Sequence, residues 1–331
     1  MTELNYEVEL LDESTFKIFK GVYNDFKSKA VSEYKFELEP LEYEDFIDAI
    51  ENGYMKCIVL KENRIPTAFL VYTTSVSEAV ELNLIHCLGD EDEVTKYKLL
   101  TEFFLQLTEA DRQSKVVSYP MLGHQSMFAE YIIKFGFNFI GLAVMRFIMG
   151  NVSSERILEN MKLPELSEDY KLVGYSDMYK NDAIKLIHEA FRDTSDAIYD
   201  TRYKTMEGTA DIINKITENI YGEFLPEATS VLLYHNKPCG FAFANVTGGK
   251  IANIPLVAIE KNHRGNGFSG LLLNRTMKTI VDWTRLGKRD FSEVNVTTET
   301  NNYKALKMYR KTGFKEDYCY PQAYLLSKRK K

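Results

Sequence analysis

Residues 259–273 read Ile-Glu-Lys-Asn-His-Arg-Gly-Asn-Gly-Phe-Ser-Gly-Leu-Leu-Leu. An apolar, strand-like run empties into a glycine-rich turn and then directly into a helix-like segment. Glycine tolerates positive φ and lets backbone approach a ligand closely. Successive N–H groups at such a turn and at a helix N-terminus form a cradle for an anion, and Arg264 adds a fixed positive charge. The chemistry expected is a diphosphate site over Arg264, Gly265, Asn266, Gly267, Phe268 and Ser269. The plainer role for the same residues is a tight strand–turn–helix connection. A second pattern lies at Asn302-Tyr303-Lys304-Ala305, followed by Tyr309 and then Gly313-Phe314. Asn302 and Tyr309 are seven residues apart, about two helical turns, so they share a face. A phenol with an ordinary pKa near ~10 is neutral at pH 7 and can protonate a departing thiolate. The alternative is a capping Asn and a Tyr packed in the core.

The elements that must position these residues follow from periodicity and punctuation. Around them, 230–234, 240–245, 251–259, 293–298 and 318–326 read as strands. Segments 176–192, 209–220, 268–284 and 302–311 read as helices, with Leu273, Met277, Ile280, Val281 and Thr284 on one face of 268–284. Gly313 suits a helix C-terminus. The first half runs through a similar late order: strand 79–87, helix 94–109, strand 116–119, helix 125–134, then Gly136-Phe137 and a strand. This is the pattern of an internal duplication. A polar joint with Pro164 separates the halves, giving residues 1–150 as one domain, 151–169 as a linker and 170–331 as a second domain.

The chain has 331 residues, 45% hydrophobic and 27% charged, with a net charge of −7. That length accommodates two domains, each with its own core. Residues 1–150 hold 14 Lys+Arg against 25 Asp+Glu, while 151–331 hold 27 against 23. The balance is far from that of a nucleic-acid binder, and the mildly basic second half suits a small phosphorylated ligand. The polar, acidic start shows no secretory or transit peptide, and the most apolar stretch, 139–149, is shorter than the ~20 residues of a membrane span. A soluble cytoplasmic protein is expected, with no membrane partner. Cys57, Cys87, Cys239 and Cys319 are far apart without a C-x-x-C pair, so four buried thiols are expected, with no disulfide framework and no metal site.

Together the two motifs resemble the GNAT superfamily of acyl-CoA-dependent N-acyltransferases. The family's R/Q-x-x-G-x-G/A pattern is matched by Arg264 and Gly267, with Ser269 standing at the last, small-residue position. Its later N-x-x-A-x-x-x-Y-x-x-x-G-F pattern is met by Asn302, Ala305, Tyr309, Gly313 and Phe314. The resemblance covers about residues 170–327. It implies a mixed α/β (α+β) fold of two GNAT-like domains, each a twisted, mostly antiparallel sheet flanked by helices, with acetyl-CoA or another acyl-CoA as co-substrate. By the same resemblance, the turn takes the diphosphate, the strand ending near Ile259 pairs with the pantetheine arm, and Asn302 hydrogen-bonds that arm. Backbone N–H groups near Val257 and Ile259 stabilise the oxyanion, and Tyr309 protonates the thiolate. Glu260 and Glu299 are the candidate bases, each with a solvated surface carboxylate as the alternative, and His263 is expected to face solvent.

Aligned on the Gly-Phe pairs, the first half places Asp90-Glu91-Asp92-Glu93 where the diphosphate turn belongs. Ile132 stands at the position of Tyr309 and Gln125 at that of Asn302. Four carboxylates would repel a diphosphate, so this half is expected to be a degenerate GNAT-like domain, a structural partner or a platform. The plain role of 90–93 is a solvated acidic loop. Acceptor recognition in the family points to 191–224, with Asp193, Asp196, Tyr199, Asp200, Tyr203, Tyr221 and Phe224; much of this could equally be amphipathic helical surface. The expected activity is acyl transfer to a primary amine of a small molecule, amino sugar or peptide, by a monomer or homodimer. The alternatives are a non-catalytic acyl-CoA sensor with a partner-binding N-terminal half, and a peptidyl transferase using aminoacyl-tRNA. Lys328-Arg329-Lys330-Lys331 is read as a solvated tail.

Overall fold

The computed structural model describes residues 5–32, 40–74, 79–89, 92–121 and 128–328. The first half runs β1 (Tyr6–Leu10), α1 (Glu13–Ser32), α2 (Tyr43–Glu51), β2 (Lys56–Glu62), β3 (Ile65–Thr73), β4 (Ala79–Cys87), α3 (Glu93–Leu107), β5 (Val116–Pro120), α4 (Ala129–Ile132) and β6 (Asn138–Ile148). It continues with α5 (Val152–Glu159), β7 (Tyr170–Gly174), α6 (Lys180–Phe191), α7 (Asp196–Tyr199), α8 (Met206–Thr217) and β8 (Glu223–Phe224). Then come β9 (Ser230–Tyr234), β10 (Lys237–Ala242), β11 (Asn245–Gly248), β12 (Ile251–Asn253) and β13 (Val257–Ile259). The last elements are α9 (Phe268–Arg285), β14 (Glu293–Glu299), α10 (Tyr303–Lys311) and β15 (Lys315–Leu325). The order strand, helices, strands, helix, strand, helix, strand thus occurs twice, with two helices after the first strand in one half and three in the other.

Two compact units result, 1–140 with 320–331, and 141–319. These limits differ from the boundaries expected at 150 and 170, for reasons visible in the pairing. β6 starts in the first unit, but its residues 142–148 pair antiparallel with β14, from Leu142 opposite Glu299 to Ile148 opposite Glu293. β15 starts in the second unit, but Gln322–Leu325 pair with Pro120–Val117 of β5. Segment 151–169 is not a free linker either. Leu158 is buried in the second unit's core, Asn274 Nδ2 donates to the Leu158 carbonyl at 2.9 Å, and Arg285 holds Glu155 and Glu159 at 2.7 and 2.8 Å.

In the first unit, β1–β2–β3–β4 form an antiparallel meander and β5 joins parallel to the start of β4, Ala79 opposite Val116. Alternating side chains feed two clusters: Ile58, Leu60, Leu70 and Tyr72 pack with Tyr97, Leu100 and Phe104, while Val59, Phe69 and Val71 pack under Phe19, Tyr23 and Phe46. In the second unit, α9 lays Leu273, Met277, Ile280 and Val281 against Val294 and Val296 of β14. Gly287 ends α9 with positive φ, its N–H and that of Lys288 closing on the carbonyls of Thr284 and Trp283. Gly313 ends α10 at φ 99°, and a Cβ there would lie 2.6 Å from the Ser154 carbonyl oxygen, so only glycine fits.

Two expectations are corrected. The single strand expected over 251–259 is two strands, because Pro255 cannot donate to a ladder: β12 pairs parallel with β14, whereas β13 pairs antiparallel with β10 in a different sheet. Of the four cysteines, Cys57, Cys87 and Cys239 are buried, but Cys319 is exposed because it falls on the outward phase of β15. Gln125, Asp90, Glu91 and the last three residues of the basic tail lie outside the described residues. No helix among the described residues is long and apolar enough to cross a membrane.

Candidate active site

The site is built where two strands part. Ile254 N–H donates to the Asn295 carbonyl at 3.0 Å, the last backbone bond between the β12 run and β14. Beyond it, Pro255 turns the chain away and β13 follows β10. β13 uses one edge for β10: the Leu256 carbonyl accepts from Phe243, and Glu260 N–H donates to Cys239. Strand alternation therefore points the N–H and C=O groups of Val257 and Ile259 away from β10, toward the gap. A cavity of about 590 Å³ opens there, lined by Val257 and Ile259, by Arg264, Gly265, Gly267, Phe268 and Ser269, and by Glu299, Asn302 and Tyr309.

At one end lies the turn. Gly265 and Gly267 have φ of 88° and 77°, the left-handed region where residues other than Gly, Asn and Asp are strained by about 1–2 kcal/mol. Space is not the constraint, since a Cβ on Gly265 would meet nothing within 4 Å. Gly267 is the N-cap of the 18-residue α9, and no side chain caps its first turn. Those orphan N–H groups, together with the helix dipole, fit an anion. Arg264 Nε donates to the Ile259 carbonyl at 2.8 Å, which ties the side chain to the strand end. Its terminal nitrogens have no partner among the described residues and remain available for bidentate contact. Donor set and charge thus suit a diphosphate.

At the other end lie the titratable groups. Asn302 caps α10, its Oδ1 accepting from Ala305 N–H at 3.2 Å, so the capping role is realised while the side chain also lines the cavity. Tyr309 is only 6% exposed and its ring meets Phe314 at 5.8 Å, so it is also a core residue. Its hydroxyl has no hydrogen-bond partner among the described residues. Burial, and secondarily the charge of Asp196, push its pKa well above that of a free phenol, which keeps it protonated. Glu299 ends β14, is 8% exposed, and has a buried Oε1 without a hydrogen-bond partner. Burial raises its pKa, Asp196 adds to this, and a hydrogen bond from Ser195 opposes it.

The two carboxylates singled out in the sequence therefore differ. Glu299 lines the cavity, whereas Glu260 is outside it, its side chain 42% exposed and 3.7 Å from His263. His263 does not face solvent as expected: its Nδ1 pairs with the Tyr170 hydroxyl at 2.8 Å, its ring lies 4.8 Å from that of Tyr234, and its side chain is 13% exposed. Asn266 turns back on the His263 carbonyl at 3.3 Å and is not among the cavity-lining residues. Of the acceptor candidates, Asp196 and Tyr203 line the cavity, while Asp200 and Tyr221 instead hold Arg202. Pro255, Thr297, Thr298 and Lys304 also line it and were not singled out; Pro255 within a strand-like run was the readable signal of the parting.

Residues 185–314 match the Acetyltransferase (GNAT) family. Solved structures share the fold across nearly the whole chain. A GCN5-related N-acetyltransferase from Sphaerobacter thermophilus superposes with a TM-score of 0.63 at 13% identity, over 97% of this chain and 95% of that one. A tandem GNAT protein from the clavulanic acid biosynthesis pathway gives 0.60 at 11% identity, over 99% and 100%. A glucosamine N-acetyltransferase region of a fungal multi-domain β-N-acetylglucosaminidase gives 0.65 at 10% identity, over 98% of this chain and 38% of that one. No curated protein sequence matches the chain.

Proposed function

We propose that the second unit, whose residues 185–314 match the Acetyltransferase (GNAT) family, transfers an acetyl or other short acyl group from acyl-CoA to a primary amine; the likeness in fold to a tandem GNAT protein supports this reading. One observation carries this: an anion-binding helix entry, a strand edge with free amides, a buried carboxylate and a buried phenol all line a single cavity. Arg264 and the amides from Gly265 to Ser269 hold the diphosphate. The free edge of β13 pairs with the amides of the pantetheine arm, and the Asn302 side-chain amide adds a donor beside it. Glu299, with its raised pKa, takes a proton from the acceptor's ammonium, directly or through a water. The freed nitrogen forms a bond to the thioester carbonyl carbon, and the N–H groups of Val257 and Ile259 stabilise the charge that develops on oxygen. Tyr309 gives its proton to the sulfur as the C–S bond breaks; the second proton, lost by the acylated nitrogen, returns through water to the Tyr309 oxygen, and Glu299 releases the first to solvent.

No residue needs to be acylated in this scheme, and no metal is required to balance it. Thiol release from acetyl-CoA across a panel of primary amines tests it. Amine-dependent release abolished by Glu299→Gln is the expected result. Tight acetyl-CoA binding without release by any amine would leave an acyl-CoA sensor instead.

A further inference from the structure

The cavity holds two carboxylates and no cation to match either. Asp196 at the start of α7 accepts hydroxyl hydrogen bonds from Thr194 at 3.1 Å and Tyr199 at 2.9 Å, both neutral. Glu299 lines the same space, and its Oε1 is buried without a hydrogen-bond partner. The basic side chains that line the cavity, Arg264, Lys304 and His263, make no ion pair with Asp196 or Glu299 among the described residues; His263 instead pairs with Tyr170 and lies 3.7 Å from Glu260. A single ammonium compensates one of these charges. The second would remain unmatched in a partly dehydrated space, which is unfavourable.

We infer that the acceptor is a small amine with two cationic centres, whose reacting nitrogen meets Glu299 while Asp196 holds the second. This rests on the transferase function proposed above. Two further features fit such a guest. Phe191 and Tyr203 stack at 4.9 Å with 21° between their planes, and both line the cavity, offering aromatic surface to a cation. The segment that carries Asp196 and Tyr203 is also fixed. Arg202, buried just beyond α7, donates to both oxygens of Asp200 at 2.8 and 2.7 Å and to the Tyr221 hydroxyl at 2.6 Å. A fixed second charge favours a fixed spacing between the two nitrogens, which makes Asp196 a determinant of specificity.

The experiment compares kcat/KM by thiol release for a series of α,ω-diaminoalkanes and for 1-aminoalkanes of equal chain length, in wild type and Asp196→Asn. The best diamine should exceed its matched monoamine by about tenfold or more in wild type. That ratio should fall to within about twofold in the variant, mainly through a higher KM for the diamine. Calorimetric titration of the same diamine into both proteins gives a second measure that needs no turnover, and binding should weaken in step. Equal rates for the two series in wild type, or a ratio that survives Asp196→Asn, overturns the inference and leaves the transferase intact. Acetyl-CoA binding with no thiol release from any amine overturns the transferase itself.

Discussion

The two units carry the same helix entry with opposite chemistry. α3 and α9 both begin after a residue in the left-handed region, Asp92 at φ 59° and Gly267 at φ 77°. In the second unit that residue has no side chain, and the first-turn amides open to a cavity. In the first unit it is a carboxylate already in use. Asp92 accepts from Tyr6 at 2.7 Å and from Thr95 at 2.9 Å, and these bonds lower its pKa, so it is a solvent-exposed anion that is also tethered. Glu93 beside it accepts from the Tyr97 hydroxyl, and Gly89, upstream of the acidic run, has a positive φ of 70°. At the position expected to match the phenol stands Ile132, buried in a hydrophobic cluster and carrying no proton to give. One helix entry thus leaves its first-turn amides open to a cavity where the backbone is bare, and is occupied by its own side chains where these supply the charge.

The most direct way to break this comparison is Gly267→Asp, which gives the second unit the first unit's entry. Asp tolerates the left-handed backbone, so the fold should persist, while acetyl-CoA affinity by calorimetry should fall about a hundredfold or more. Gly267→Asn, the neutral isostere, should lose about tenfold. Equal losses would show that shape, not charge, distinguishes the entries. Arg264→Glu should likewise abolish detectable binding. Next in size, Glu299→Gln should lower kcat by about a hundredfold with little change in acetyl-CoA affinity. Since Glu299 must be deprotonated to act and burial raises its pKa, activity should climb with pH through a limb above the ordinary carboxylate range, and Gln should erase that limb. Tyr309→Phe should lower kcat by about tenfold or more. The raised phenol pKa also predicts no alkaline decline in wild type up to about pH 10. The smallest effect sharpens the comparison from the other side: Asp92→Asn should leave turnover at the wild-type level and only loosen the Tyr6–Thr95 tether, seen as a small drop in Tm.

Much of the site was legible because its residues do backbone work. Arg264 and Gly267 announce a strand–turn–helix by type alone, and Asn302, Tyr309 and Gly313 mark a capped, two-turn helix. Some limits near them were readable to within a residue, as at 230–234 and 268–284, while β10 and β15 begin three residues before the starts expected at 240 and 318. What periodicity could not report was direction. Glu260 and Glu299 both follow apolar strands, and only the pairing partners of β13 and β14 decide which one faces the gap. His263 read as exposed because its cover, Tyr170 and Tyr234, comes from elements distant in sequence. The exchange of β6 and β15 was invisible for a related reason: alternation tells a strand which face to bury, never which neighbour to choose.

That exchange bears on how the protein is made. Residues 322–325 border β5, yet the ribosome supplies them only after the entire second unit has been synthesised. The first unit therefore waits with an open flank through most of translation, while Met145 and Phe147 of β6 wait for the core around Phe314. The second unit can close once Cys319 is made, whereas the first must await the strand end that follows it, so a stop just past 319 would leave the later-made unit whole and the earlier one open.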